Sequence, residues 1–260
     1  MGHSSEYLIR FHGIMRLFGE KALAKFEKSH ICVIGIGGVG TWAVEAFARS
    51  GIGEITIIDL DDICLSNTNR QLHALLENVG KSKVHTMKER ILSINPECKV
   101  NIIEDFLTKE NFQNILKHNF DYIVDAIDGL HNKCLILDYC LKNNKKLICI
   151  GAAGGIISPT NIRVDDINKA INDKLLRRVR KKLRQDFGYQ KSDKKPWGVT
   201  CVYTPDNRIL PFELGDIKSV QLKQTNLKLD CESGLGTATF VTATFGNFAA
   251  SHVLKELAFK

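Results

Sequence analysis

The residues of this chain best suited to chemistry run from Gly35-x-Gly37-Gly38-x-Gly40 through Asp59, Asn67, Arg70 and Lys83 to Asp128. Gly35, Gly37, Gly38 and Gly40 follow the apolar run Ile31-Cys32-Val33-Ile34, which has the composition of a strand buried on both faces. Glycines at that spacing turn the chain sharply and leave room for a phosphate close to the backbone, and a helix starting near Gly38 aims free N–H groups and its positive end at that phosphate. A second strand, Glu54 to Asp59, ends on a carboxylate nineteen residues past Gly40, the spacing expected for an acid that binds ribose hydroxyls. Beyond it, Asn67, Arg70, Gln71 and Lys83 add two cations and two amides where further phosphates must lie. Hydride transfer does not need those cations. Cleavage of an α–β phosphate bond does, because charge accumulates on the α-phosphate and on the departing pyrophosphate. Asp128 is then placed to hold magnesium, a hard cation that takes carboxylate and phosphate oxygens together.

These residues need a frame. From Ile31 to Ile150 short apolar runs alternate with helical stretches, which predicts an α/β fold of Rossmann type: a doubly wound, mainly parallel sheet with helices on both faces. Strands are expected near 31–35, 55–59, 99–103, 121–125 and 146–150, and helices at 38–50, 81–94, 108–118 and 131–143. Asp125 and Asp128 then fall at the carboxyl edge of the sheet, where open α/β sheets bind ligands. Past Gly151-Ala152-Ala153-Gly154-Gly155 the pattern loosens into an irregular C-terminal extension. A length of 260 residues, 44% of them hydrophobic and 25% charged, fits a single unit over 1–260, comprising a helical segment at 1–30, a nucleotide-binding core at 31–155 and a third part at 156–260.

Charge is concentrated. Residues 174–195 hold ten Lys or Arg against two Asp, a balance of +8 in a chain whose total is +7. Leu176, Val179, Leu183 and Phe187 recur at helical spacing there, which leaves Arg177, Arg178, Arg180, Lys181, Lys182 and Arg184 on the exposed faces of a basic helix followed by a polar loop. Clustered cations of this kind attract a phosphate backbone. The eight cysteines include no Cys-x-x-Cys pair, so neither zinc nor a disulfide framework is expected. Cys201 and Cys231 could accept an acyl or sulfur group only if exposed and acidic, and a structural role is the simpler expectation for both. Ser233 to Leu254 contains no Lys, Arg, Asp or Glu, yet its Thr, Ala, Gly and Asn content predicts a closely packed helix and not a membrane span. The N-terminus has no apolar signal region, so a cytosolic protein is expected, with peripheral membrane contact through the apolar C-terminal helix as the remaining alternative.

The set Gly35-x-Gly37-Gly38-x-Gly40, Asp59-x-Asp61, Ser66-Asn67-x-x-Arg70-Gln71, Lys83 and Asp125-x-x-Asp128 resembles the adenylation domain of the ubiquitin-activating-like superfamily, to which the ThiF and MoeB enzymes belong. The absence of paired Cys-x-x-Cys motifs separates the chain from zinc-bearing sulfur-carrier activators. Arg16 to Leu23, Asn67 to Gln71, Ile94-Asn95-Pro96-Glu97-Cys98, Asp125 to Asp128, Asp230-Cys231-x-Ser233-Gly234-x-Gly236 and Thr242 to Gly246 instead resemble the family of tRNA threonylcarbamoyladenosine dehydratases, over nearly the whole chain. That resemblance implies that ATP adenylates the threonyl carboxylate of threonylcarbamoyladenosine in tRNA, and that the substrate's carbamoyl group then closes a ring and expels AMP. It implies that Asp59 holds ribose, that Asn67, Arg70 and Lys83 hold phosphates, and that Asp128 holds Mg2+. Arg70, Lys83 and Asp128 are then the catalytic set, and Arg177, Arg178, Arg180, Lys181 and Arg184 the tRNA contacts. A homodimer is implied as well, with Arg10 or Arg16 reaching the partner's site, and a sulfur-relay protein is a further partner to consider. Activation of a ubiquitin-like sulfur carrier is the alternative activity. A non-catalytic nucleotide-sensing or RNA-binding module would not need Arg70, Lys83 and Asp128 together, and a dinucleotide oxidoreductase would not need the phosphate-side cations.

Overall fold

The computed structural model describes residues 4–190, 196–209 and 235–260. Two helices, α1 (Ser5–Phe18) and α2 (Glu20–Lys28), precede β1 (His30–Ile34), and α3 (Gly40–Arg49) and β2 (Glu54–Ile58) follow. Then come α4 (Lys83–Ile94), β3 (Lys99–Ile103), α5 (Phe112–Leu116), β4 (Tyr122–Asp125), α6 (Leu130–Lys142) and β5 (Leu147–Ile150). The chain continues through β6 (Arg163–Asp166), α7 (Lys174–Phe187) and β7 (Thr200–Tyr203) to α8 (Thr239–Phe259).

The strands form one sheet in the order β3-β2-β1-β4-β5-β7-β6. All pairs are parallel except β6 with β7. Side chains alternate along β1, so Ile31 and Val33 enter the core beneath α1 to α4 and α8, while Cys32 and Ile34 enter the core beneath α5, α6 and α7. Both faces are covered, as the continuous apolar strands require.

Each predicted strand falls within a residue of its observed position. Three helices start later than expected, among them α4, which starts at Lys83 and not at 81. Asn111 Oδ1 accepts the N–H of Thr108 and holds 108–111 as a turn, so α5 starts only at Phe112. At the glycine loop α3 starts at Gly40 and not near Gly38. The segment after Gly155 is more regular than expected, because β7 extends the parallel sheet beside β5 and β6 closes its edge.

From Thr239 onward the uncharged C-terminal run forms the packed helix that its small residues predicted. α8 lies on α3 and α2, and a methyl at Gly246 would stand 2.7 Å from the Val39 carbonyl, closer than atoms pack. Among the described residues no helix is long and apolar enough to cross a membrane. Of the seven cysteines in the described residues, Cys64 is exposed and the other six are buried, none in a disulfide.

Candidate functional site

Strand order brings the carboxyl ends of β2, β1, β4 and β5 side by side, and there they surround a cavity of about 790 Å³. Gly35, Gly37, Gly38, Asp59, Asn67, Arg70, Lys83 and Asp128 all line it. The sequence therefore placed these eight in one site. Gly40 sits behind them at the start of α3.

The cradle is built by close approach. Gly35 has a φ of +90° and donates its N–H to Ile58 O at 2.9 Å, which carries the β1–β2 ladder one residue past the strand. A side chain at Gly40 would collide with the Gly35 carbonyl. No side chain caps α3, and the N–H groups of Gly37, Gly38 and Val39 find no hydrogen-bond acceptor among the described residues. Three free donors at a helix start make an anion site.

Asp59 does more than face the cavity. Its Oδ2 accepts the Ile36 N–H at 2.6 Å and its Oδ1 accepts that of Asp61 at 2.9 Å, so the carboxylate pins the glycine loop to the end of β2. Burial pushes its pKa up, opposed first by the Lys83 ammonium. Each oxygen keeps a lone pair for a ribose hydroxyl. Lys83, the first residue of α4, is buried with Nζ 2.6 Å from Asp61 Oδ2 and 3.9 Å from Asp59 Oδ1. Asn67 Oδ1 accepts the Cys64 N–H and so fixes the short turn that presents Arg70.

Arg70 packs against Gly38, whose added Cβ would lie 3.2 Å from Arg70 Cγ. Its Nη1 donates to Ser66 O at 2.8 Å and Asn69 Oδ1 at 3.0 Å, leaving Nε and Nη2 without a partner among the described residues. Its carbonyl accepts from Trp42 Nε1 and Thr242 Oγ1. These two supports lie far away in the chain and were missed from the sequence.

Asp128 is exposed on the turn after β4 and makes no hydrogen bond or ion pair among the described residues. Asp125, by contrast, is fully buried and paired with Lys133 at 2.8 Å, so it supports the turn and is closed to ligand.

His73 was also missed. It lies 2% exposed beneath the loop, with Nε2 3.2 Å from Ile36 O and Nδ1 unpartnered among the described residues. Burial pulls its pKa down to about 4. The unfolded chain takes that proton near pH 6.5, so stability attributable to His73 is intact above about 6.5 and drains by about 1.4 kcal/mol per pH unit as pH falls toward 4. Urea unfolding of the protein and of His73→Gln at pH 7.5, 5.5 and 4.5 is expected to show the difference between them shrinking steadily. A constant difference refutes it.

Helix α7 spans the predicted Lys174–Phe187, and Leu175 in its first turn lines the cavity. Arg177, Arg178 and Lys181 are exposed and Arg184 is half-buried. Arg180 corrects the expectation of an exposed residue, since its Nη1 donates to Ile167 O at 2.7 Å in a half-buried position, and burial lowers its pKa. Lys182 is likewise engaged, with Asp186. Arg10 pairs with Glu6 at 3.5 Å and Arg16 is exposed on α1, and neither lines this chain's own cavity. Cys201 is fully buried beside Cys149, whose side chain and the surrounding apolar core push the Cys201 thiol far up, so it is no nucleophile. Cys231 lies outside the described residues.

The profile of the ThiF family matches residues 12–259. The chain is 48% identical over 249 residues to the tRNA threonylcarbamoyladenosine dehydratase of Escherichia coli, covering 95% of this chain and 93% of that one. It is 45% identical over 257 residues to the dehydratase of that name from Haemophilus influenzae, covering 99% and 96%. Among solved structures it is similar to the E. coli dehydratase TcdA in complex with AMP, at a TM-score of 0.89 and 45% identity over 99% of this chain and 97% of that one. The same enzyme in complex with ATP gives 0.88 at the same identity and coverage. With the profile spanning both the glycine loop and the last helix, the chain belongs to the ThiF family.

Proposed function

We propose that this chain is an ATP-dependent tRNA threonylcarbamoyladenosine dehydratase. It converts the modified adenosine to its cyclic form through an acyl-adenylate. The reading is carried by one observation: relatives of that name, 48% and 45% identical, are matched over nearly their full length, by a chain whose cavity is lined by Asp59, Asn67, Arg70, Lys83 and Asp128.

ATP binds with its ribose on Asp59 and its phosphates between the free N–H groups of Gly37 to Val39 and the side chains of Asn67, Arg70 and Lys83. The threonyl carboxylate attacks the α-phosphorus while the bond to the β-phosphate breaks and pyrophosphate leaves. Arg70 offers its free N–H groups to the charge that grows on the α-phosphate. Lys83 is a fixed cation held by Asp61 beside Asp59. Asp128, an exposed carboxylate on the cavity wall, would hold Mg2+, since magnesium bound with phosphates takes one or two carboxylates and water. It would neutralise phosphate charge there.

The exposed cations Arg177, Arg178 and Lys181 grip the RNA backbone one turn beyond the cavity rim, with Arg184 beside them. Replacing the first three by alanine should weaken tRNA binding and flatten the log–log salt dependence by about 3, with ATP affinity unchanged. Unaltered binding in filter assays at two salt concentrations dismisses α7 as the RNA site. A homodimer belongs to the same reading, with Arg10 or Arg16 of one copy entering the other's cavity; the exposed apolar neighbours Ile9 and Leu17 on α1 support it.

The test is mass spectrometry of the nucleoside after incubation of the protein with ATP, magnesium and tRNA bearing threonylcarbamoyladenosine. ATP-dependent loss of one water is the expected result, and an unchanged nucleoside overturns the reading.

A further inference from the structure

Two strands along the sheet from β1, the cavity is closed by the turn 151–154 after β5, and nothing in the nucleotide reading uses it. Half of its backbone polar groups are engaged. Gly151 donates its N–H to Val202 O at 2.8 Å, Ala152 to Asp173 Oδ2 at 2.9 Å, and Gly155 to Gly236 O at 2.8 Å. One guanidinium takes two of the carbonyls, with Arg208 Nη2 2.8 Å from Ala152 O and Nη1 donating to Gly154 O. Besides the carbonyls of Gly151 and Ala153, the groups without a partner among the described residues are the N–H of Ala153 and the N–H of Gly154. Neither has an acceptor among the described residues, although both residues are buried and line the cavity.

Buried backbone N–H groups are rarely left unpaired, since each costs about 1–3 kcal/mol. Two in succession on a cavity wall form a concave donor pair for an anionic oxygen. The Ala152–Ala153 peptide is moreover polarised from behind, because the guanidinium on its carbonyl strengthens its N–H as a donor. The support is itself built in. Asp173 is 1% exposed, accepts from Arg208 and Ala152 with Oδ2, and caps α7 by accepting the Leu176 N–H with Oδ1 at 2.9 Å. A side chain at Gly151 would collide with that carboxylate.

We propose that the N–H groups of Ala153 and Gly154 form the subsite for the substrate's acyl group, with Arg208 and Asp173 as its positioning residues. This rests on the dehydratase reading. One carboxylate oxygen is held there while the other attacks the α-phosphorus. In the second step a lone pair of the carbamoyl group attacks the acyl carbon, the former carbonyl oxygen carries the negative charge toward the two N–H groups, and the bond to AMP breaks. AMP leaves with the oxygen and the electron pair, and the carbamoyl proton passes to solvent. Because Asp173 also caps α7, the basic helix and the acyl subsite are anchored on one group.

The test compares Arg208→Lys, which keeps the charge but loses the two-pronged grip, with Ala153→Pro, which deletes one donor. Full-length protein, ATP and threonylcarbamoyladenosine-bearing tRNA are used, and cyclic nucleoside, pyrophosphate and ATP affinity are measured together. Each variant is expected to lose about 10²-fold in kcat for the cyclic nucleoside with ATP affinity unchanged. Wild-type kcat in either folded variant overturns the subsite, as does a loss of kcat matched by an equal loss of ATP affinity. If Ala153→Pro does not fold, Arg208→Lys decides on the same readouts. A wild-type protein that forms no cyclic nucleoside instead defeats the dehydratase reading.

Discussion

Arg70→Ala is expected to lower pyrophosphate release by about 10³-fold while ATP still binds. The argument is geometric. On the proposed reading ATP affinity is shared among Asp59, Lys83, Asn67 and the glycine-loop N–H groups without an acceptor among the described residues, all of which the substitution leaves in place. Arg70 differs in having a guanidinium held, among the described residues, on one edge only, by Ser66 O and Asn69 Oδ1, with Nε and Nη2 left to meet charge that exists fully only in the transition state. An interaction realised in the transition state appears in kcat, whereas one shared with the ground state appears in KM. Arg70→Lys should recover little, since a single ammonium cannot hold the Ser66 and Asn69 oxygens and also reach a phosphoryl oxygen along two directions. Pyrophosphate release measured at saturating ATP decides it. A rate within about threefold of wild type in the alanine variant removes Arg70 from the chemistry.

Much of this site was legible in the sequence because its parts are local. The glycine spacing, the acid at the end of β2 and the Asn67-to-Gln71 segment each declare their chemistry within a few residues. The limits of α7 were readable for the same reason: an apolar stripe runs between Asp173, whose carboxylate accepts the Leu176 N–H, and Gly188 in the left-handed conformation. What was not legible depends on pairs distant in sequence. Trp42 and Thr242 hold the Arg70 carbonyl from 28 and 172 residues away. Arg180 reads as one more surface cation until Ile167 O, 13 residues earlier, is brought under it. β6 is the polar stretch Arg163-Val164-Asp165-Asp166, and an edge strand with three charged residues in four carries no alternation to betray it. His73 looks like any loop histidine, since only the fold places it beneath Ile36.

The buried pair Asp125–Lys133 carries the second large effect. Both side chains are 0% exposed, and the ammonium donates to the Asp125 carbonyl as well as to Oδ2, while Oδ1 accepts the Ile127 N–H. One carboxylate thus fixes the start of α6 and the turn that carries Asp128. Burial pushes the Asp125 pKa up and Lys133 opposes it, so the charged form depends on its partner. Lys133→Met should therefore strand a carboxylate in the core and cost about 3–5 kcal/mol. For a chain of this size that is a fall of about 10 °C in Tm. Asp125→Asn should cost as much for the opposite reason, because the ammonium is left without a counter-charge. The double variant leaves no charge stranded and is expected to be more stable than either single one, a sign reversal that a double-mutant cycle in urea reads directly. Simple additivity would show that the two side chains contribute to stability independently. The double variant separates stability from catalysis as well. The side-chain amide introduced by Asp125→Asn keeps an acceptor for the Ile127 N–H, so the Asp128 turn should retain its shape and ATP turnover should survive in the double variant at temperatures where Lys133→Met has unfolded.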